Sequence, residues 1–336
     1  MKIGVLGAGS IGCYLGGRLI AAGHDLVLVG RLGAEIAAHG LTLTDYQGQR
    51  LVLPPEKVRY RADAAALRDR EVVLVTVKSM ATAEAAAQLA RVLSSPVLVV
   101  SFQNGVSNVP TLRAALPACP VAAGMVPFNV LHQAQGHFHN GTSGPLELER
   151  TGGAEAELAE ALGGAGFGVA LHDDMRPVQW TKLLINLNNS LNALAGVPLR
   201  EQLADRRYRM IMARVVREGL ACLKAAGIRP VRIGRLIPRL APTVLSLPNW
   251  LFVRVAAAMV KVDPTARSSM WEDLERRRPT EIEYLNGEVI RLGEQHHVPT
   301  PVNRKIRELV RAAEQAQRGS PQMSAPDLWA VVQRSG

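Results

Sequence analysis

Five residues of strand character, Lys2-Ile3-Gly4-Val5-Leu6, run directly into Gly7-Ala8-Gly9-Ser10-Ile11-Gly12, and the amphipathic stretch CYLGGRLIAAG follows. A GxGxxG that closes a strand and opens a helix constrains the fold more than any other feature of this chain. The first glycine permits a tight turn, the second lets the backbone approach a pyrophosphate, and the third lets the helix pack close to the strand. The helix start adds N–H donors without intrahelical partners, which suit an anion. Gly7, Ala8, Gly9, Ser10, Ile11 and Gly12 are therefore candidate contacts to a dinucleotide.

The residues after this motif repeat the same alternation. DLVLVG, EVVLVTV and PVLVVS are near-continuous apolar runs of strand length, as expected for strands covered on both faces. MATAEAAAQLARVL and NVPTLRAAL between them carry apolar residues at helical spacing. The pattern predicts an α/β fold with an N-terminal Rossmann-type doubly wound sheet. LTLTDYQGQRLVLP reads as a hairpin, VAAGMV, GHFHN and GPLELE as strands, Glu155–Gly163 as a helix and FGVALH as a last strand. Beyond Asp173-Asp174 the chain reads as helices separated by Gly and Pro, with Asp174 as an N-cap and Pro177 in the first turn. The expected division is a nucleotide-binding domain over 1–172 and an all-helical domain over 173–336. The segment QAQRGSPQMSAPDLW is expected to be loosely attached.

Length and composition narrow the function classes. A chain of 336 residues suggests about two domains, each with its own core. The longest apolar stretch, near Leu251–Val262, is interrupted by Arg254 and Lys261, so no membrane span is expected. The N-terminus enters a strand rather than a signal sequence, and Cys13, Cys119 and Cys222 lack any CxxC; buried free thiols and a cytoplasmic location are the expectation. The net charge of +10 is scattered among acids without a nucleic-acid-binding motif, so solvated helix faces account for most of it and no nucleic-acid partner is expected. His137 and His139 share one face of a strand and His296 and His297 are adjacent, but no carboxylate or thiol completes a metal spacing; no metal is expected.

The ends of the strands carry the next candidates. A nucleotide fold selecting NAD usually places Asp or Glu after its second strand; this chain has Arg31, which suits a 2′-phosphate and points to NADP(H), an exposed loop arginine being the other reading. Lys78 and Asn104, each past a later strand, are positioned for cofactor phosphate or ribose and for substrate, or else are loop residues. Further on, Lys182 and Asn186 are i,i+4 in QWTKLLINLNNSLNAL, and with Asn189 and Ser190 they form a polar stripe opposite Leu183, Leu184, Leu187 and Leu191. Such a stripe wants either solvent or a polar ligand, and its wealth of Asn favours the ligand. Ser269 and Asp273 share another helical face. Glu281 is expected in the first turn of a helix opened near Thr280, where the helix dipole alone would explain an acid.

With these residues in place, the chain resembles the ketopantoate reductases (2-dehydropantoate 2-reductases). The resemblance is carried in order by KIGVLGAGSIG, the Arg31 strand end, VTVKS, Gln103-Asn104-Gly105, QWTKLLINL, SSMWEDLERRRPTEIEYLNGEVIRLG and VPTPVN. It implies an NADPH-binding Rossmann domain, a helical domain and a 2-oxo acid bound in the cleft between them, reduced to the 2-hydroxy acid. It implies Lys182 as the catalytic lysine, Glu281 as the glutamate beside the nicotinamide ribose, and Asn104, Asn186 and Ser269 as substrate contacts. Ser190 stands where the family has a second substrate asparagine, Arg200 stands about where it has a third, and MVPFNV is bulkier than expected on the nicotinamide side. A paralogue acting on another 2-oxo acid, a related hydroxy-acid or opine dehydrogenase and a non-catalytic NADP sensor are the competing readings. The apolar helix around Trp250–Val260 suits core or a homodimer contact.

Overall fold

The computed structural model describes residues 1–234, 236–256 and 266–334. The chain divides into two compact units, Met1–Met175 and Arg176–Gly336.

In the first unit β1 (Lys2–Leu6), α1 (Ser10–Ala21) and β2 (Asp25–Val29) form the opening βαβ element, followed by α2 (Gly33–His39) and the hairpin β3 (Leu41–Asp45) and β4 (Arg50–Leu53). Next come β5 (Arg59–Arg61), β6 (Val72–Val75), α3 (Thr82–Val92), β7 (Leu98–Ser101), α4 (Asn108–Ala115) and β8 (Val121–Met125). The unit ends with β9 (Val130–His132), β10 (His137–Asn140), β11 (Leu146–Glu149), α5 (Glu155–Gly164) and β12 (Val169–His172). Eight strands form one sheet in the order β12-β11-β8-β7-β6-β1-β2-β5, parallel but for the β11–β8 pair. Every residue of β6, β7 and β8 is buried, which is why these strands read as unbroken apolar runs. The chain leaves β1 toward β2 on one side and resumes at β6 on the other, so the switch in strand order falls where α1 begins. Ligands bind open α/β sheets at that point, at the carboxyl ends of the strands.

Four strands form a separate sheet. The hairpin forms as expected, but GHFHN joins it rather than the large sheet, giving a second sheet ordered β4-β3-β10-β9. His137 and His139 do share a face there, both within 2.8 Å of the Thr44 hydroxyl. MVPFNV turns its bulk inward: Met125 and Phe128 are buried, and Phe128 stacks on Phe167 and meets Tyr14 edge-on. Cys13 and Cys222 are buried free thiols, but Cys119 is only half-buried.

The second unit is helical: α6 (Arg176–Asn186), α7 (Asn188–Ala195), α8 (Leu199–Ala204), α9 (Arg206–Ala225), α10 (Ala241–Ser246), α11 (Asn249–Ala256), α12 (Ser269–Glu275), α13 (Asn286–Gln295), α14 (Pro301–Ala316) and α15 (Ala325–Gln333). Arg209 of α9 is 1% exposed and acts as a cross-brace. Its guanidinium donates to the carbonyls of Leu203, Leu245 and Leu247 and to Asn249 Oδ1, and lies 4.1 Å above the Phe252 ring. It thereby serves carbonyls at the C-termini of α8 and α10 that those helices leave without partners. The expectation of a loose tail fails. Ser320 donates to the Ala193 carbonyl, Met323 to that of Leu194, Tyr208 to that of Met323, and α15 buries Leu328 and Val332. Among the described residues no helix is long and apolar enough to cross a membrane. Of the apolar stretch from Leu251, residues 257–265, Lys261 included, lie outside the described residues.

Glu155 shows how a polar residue closes a helix end in this fold. Its buried carboxylate accepts the amides of Thr151, Gly152 and Gly153, and these hydrogen bonds overcome the burial penalty and hold its pKa at about 2. A carboxylate depressed in the folded state stabilises the fold above its unfolded pKa and loses that contribution as pH falls through the folded one. Glu155→Gln is therefore expected to cost about 2 kcal/mol near neutral pH. In urea titrations its deficit against the parent should shrink as pH falls from 4.5 toward 2.

Candidate active site

The glycine turn has the geometry its sequence requires. Gly7 sits at φ +94°, and the Gly7 and Ala8 amides both donate to the Val29 carbonyl at 2.9 Å. A Cβ on Gly7 would lie 2.5 Å from the Val77 backbone, and one on Gly12 would lie 2.6 Å from the Thr76 hydroxyl. At Gly9 it would meet nothing nearer than 3.9 Å among the described residues, so there is room beside the turn. Gly9, the N-cap of α1, offers no side-chain cap, and the first turn of α1 holds no acid. The amides of Ser10 and Ile11 therefore start a helix whose positive end is left to a ligand. This cradle fits the pyrophosphate of a dinucleotide.

A residue that the sequence reading passed over holds this cradle in place. Tyr60 of β5 is buried, and its hydroxyl donates to the Ala8 carbonyl at 2.7 Å while accepting the Leu32 amide at 3.1 Å. It joins the glycine turn to the segment that carries Arg31, which is exposed at the end of β2. No motif marks Tyr60, since only the parallel pairing of β5 with β2 brings it there.

Lys78 and Asn104 are exposed and lie past β6 and β7. A buried network beneath them ties the two loops together. Gln103 Nε2 donates to the Val77 carbonyl and to Thr82 Oγ1, Ser101 donates to Gln103 Oε1, Ser79 Oγ donates to the Asn104 carbonyl, and Asn108 Nδ2 donates to the same carbonyl at 2.6 Å. The Gln103-Asn104-Gly105 motif thus divides its labour: Gln103 points inward to fix the loop, and Asn104 is presented outward.

In the second unit Lys182 and Asn186 lie on α6 as the spacing predicts, both half-buried. Burial pushes the Lys182 ammonium down to about 8. The rest of the stripe divides. Leu187, between α6 and α7, keeps a helical conformation and donates its amide to the Leu183 carbonyl, and Ser190 on α7 is fully buried with its hydroxyl donated to the Leu187 carbonyl at 2.8 Å. The protein itself thus already engages this hydroxyl. Asn192 is also buried: its Nδ2 donates to the Val197 carbonyl and to Gln202 Oε1, and Gln202 in turn donates to Asn188 Oδ1.

The same asparagines seat α12. Asn192 Oδ1 accepts the Ser268 amide at 2.8 Å, and Ser268 Oγ donates to the Asn189 carbonyl while capping α12 by accepting the Trp271 amide. Ser269, the first residue of that helix, is exposed next to this junction. Of the paired serines, the buried Ser268 builds and the exposed Ser269 is available. Glu281 is half-buried and is the N-cap of a 3₁₀ turn, Ile282–Tyr284, with α13 beginning only at Asn286. It is not in the first turn of an α-helix, so the dipole explanation for its charge falls away. Thr280 caps the turn by accepting the Ile282 amide, and its own amide donates to Glu314 of α14 at 2.6 Å.

Comparison with known proteins follows this division of labour. Residues 3–153 match the family model described as ketopantoate reductase PanE/ApbA, and residues 174–314 match its C-terminal counterpart. A 2-dehydropantoate 2-reductase from Mesorhizobium japonicum is 30% identical, over 93% of this chain and 97% of its own. One from Halobacterium salinarum is 27% identical over 94% and 99%. Among solved structures, a PanE/ApbA family ketopantoate reductase from Ralstonia eutropha JMP134 superposes with a TM-score of 0.81 at 32% identity, covering 95% of this chain and all of that one. A D-mandelate dehydrogenase solved with NADH shares the fold, with a TM-score of 0.78 at 22% identity over 94% of this chain and 99% of its own. With both family models matched in order along most of its length, the chain belongs to the ketopantoate reductase family of oxidoreductases.

Proposed function

We propose that this protein reduces the 2-oxo group of 2-dehydropantoate, or of a closely related 2-oxo acid, to the 2-hydroxy acid with NADPH. The observation that carries the reading is Lys182: an ammonium brought to about 8 by burial, one helical turn from Asn186, in a chain whose other unit holds an open dinucleotide cradle.

Gly7, Ala8, Gly9, Ser10, Ile11 and Gly12 hold the cofactor pyrophosphate, Arg31 the 2′-phosphate, and Lys78, Asn104 and Glu281 its ribose and phosphate groups. When bound, NADPH supplies the hydride to the carbonyl carbon. Lys182 holds a proton at Nζ, stabilises the negative charge that develops on the carbonyl oxygen and transfers the proton to it, and solvent reprotonates the amine afterwards. A pKa of about 8 suits this work, since the group is charged at neutral pH yet gives up its proton readily. Asn186, Ser269 and Asn104 orient the carbonyl and carboxylate. With Ser190 engaged on the Leu187 carbonyl, the tail of the substrate meets one amide fewer than the family pattern provides. The reaction centre is unaffected, so tail selectivity is where this chain differs. Three free cysteines among the described residues agree with work in a reducing cytoplasm.

The second unit also exposes apolar side chains, with Trp250 at 65% and Val253 at 62% on α11 and Leu240 and Ile237 nearby in sequence. We assign this face to a homodimer contact.

Five outcomes are expected. A panel of 2-oxo acids followed at the nicotinamide absorbance should show turnover with NADPH. Lys182→Met should lower kcat by about 10³-fold while leaving NADPH binding intact. For the parent, kcat for reduction should be level below pH 8 and fall as the pH rises through about 8, with the reverse oxidation rising over the same interval. Tight NADPH binding without turnover of any 2-oxo acid would instead support a sensor. Arg31→Ala should weaken NADPH binding at least tenfold and leave NADH binding unchanged. Trp250→Glu should convert a dimer to a folded monomer in sedimentation equilibrium.

A further inference from the structure

We propose that Arg61 is a second cofactor-selecting residue, which forms with Arg31 a two-guanidinium seat for the 2′-phosphate of NADP(H) at the carboxyl ends of β2 and β5. The inference rests on the reading that the chain takes NADP(H), and it assigns part of that choice to a strand the sequence did not reveal.

Arg61 is the last residue of β5 and the ladder partner of Val29, and its carbonyl accepts the Gly30 amide at 3.0 Å. Neighbouring strands lie about 5 Å apart, so the backbone of Arg61 is one ladder step from the residue that precedes Arg31. Arg31 and Arg61 thus leave adjacent parallel strands at the same edge of the sheet, both exposed. Tyr60, between them, makes the arrangement rigid: its hydroxyl bridges the Ala8 carbonyl and the Leu32 amide, and a Cβ on Gly30 would come within 2.4 Å of it. The glycine turn, the Arg31 segment and the end of β5 are therefore one assembly.

The charges around this assembly favour an anion. Arg31 and Arg61 are exposed, and among the described residues neither guanidinium is paired with a carboxylate. Arg61 donates one N–H to the Tyr60 carbonyl at 2.9 Å, which steadies the side chain and leaves most of its five donors. The carboxylates nearest in sequence are anchored elsewhere: Asp63 accepts the Ala65 amide at 2.9 Å, and Glu35 holds the Gly136 amide and His132. Arg59, at the opposite end of β5, is in contrast ion-paired with Asp25. A phosphate monoester carries close to two negative charges near neutral pH, roughly what two guanidiniums balance, and planar forks match its oxygens in a way an ammonium does not.

The test is calorimetric titration of the full-length protein without substrate, using 2′,5′-ADP against 5′-AMP and NADPH against NADH. Arg61→Met is expected to weaken 2′,5′-ADP and NADPH about tenfold, leave 5′-AMP and NADH unchanged and flatten the salt dependence of 2′,5′-ADP binding. Arg61→Lys should recover only part of the loss. Equal weakening of 5′-AMP and NADH would make Arg61 an adenosine or structural contact and overturn the proposal, as would unchanged binding of all four. If the unsubstituted protein binds NADH as tightly as NADPH, the NADP(H) reading itself fails; a clear NADPH preference that survives Arg61→Met refutes the role of Arg61 alone. Matching thermal unfolding of parent and variants confirms that β5 is intact.

Discussion

The carbonyl of Val29 accepts two amides at once, those of Gly7 and Ala8, and this clamp sets the turn on which the first unit depends. It draws the end of β1 against the end of β2, and it works only because Gly7 takes a left-handed conformation hard against the Val77 backbone. Gly12 then lets α1 pack onto β1 and Thr76, so the helix starts directly over the switch in strand order. Any side chain at either glycine would push the helix terminus away from the strand ends, at a cost in packing. Thr76 contributes from the far side, its hydroxyl donating to the Gly7 carbonyl at 2.9 Å. The same few contacts are thus both core packing and ligand geometry.

Around that clamp both units follow one rule: buried amides and hydroxyls build, and their sequence neighbours face outward. Gln103 is buried and Asn104 exposed; Ser268 is buried and Ser269 exposed; Asn188 serves Gln202 while the preceding turn of helix presents Asn186. A buried polar network that is fully satisfied rigidifies what it touches, and a partly satisfied one is costly. Adjacent polar residues thus divide between building the loop or helix junction and lining its outer side. Lys182 obeys a different economy. Its burial lowers the pKa and so opposes the charged form, a local destabilisation that the asparagine and serine networks avoid.

Much of this was legible in the residues, and the failures have definite causes. The strands β1, β2, β6 and β7 announced themselves because burial on both faces demands unbroken apolar runs. Arg59-Tyr60-Arg61 and Val130-Leu131-His132 did not, since an edge strand of three residues needs only its ladder and one inward side chain, and neither leaves a periodic trace. Lys182 and Asn186 followed from helical spacing, but Ser190 was placed with them by extending that spacing through Leu187. Spacing could not announce that Ser190 is fully buried with its hydroxyl on the Leu187 carbonyl. Glu281 was misplaced for a related reason: a 3₁₀ turn and an α-helix in succession imitate one longer helix in sequence, though their faces do not align. The glycine and serine tail misled because composition says nothing of the backbone and hydroxyl hydrogen bonds that dock it.

The excess of positive charge gains a meaning from the same distinction. Several arginines are structural donors: Arg209 to carbonyls at the C-termini of α8 and α10, Arg18 to the Ala165 carbonyl with its guanidinium over Phe167, and Arg113 to the Val121 carbonyl and Glu149. A guanidinium suits this work because its charge is permanent, its five donors are held in a fixed plane and its weak hydration makes it the least costly cation to bury. Such residues add to the net charge without creating a positive surface. What remains to attract an anion is decided locally, by which guanidiniums are exposed at a strand end with the neighbouring carboxylates already anchored. By that criterion the ends of β2 and β5 differ from the surrounding arginines, since Arg31 and Arg61 are exposed there while Asp63 and Glu35 hold backbone amides.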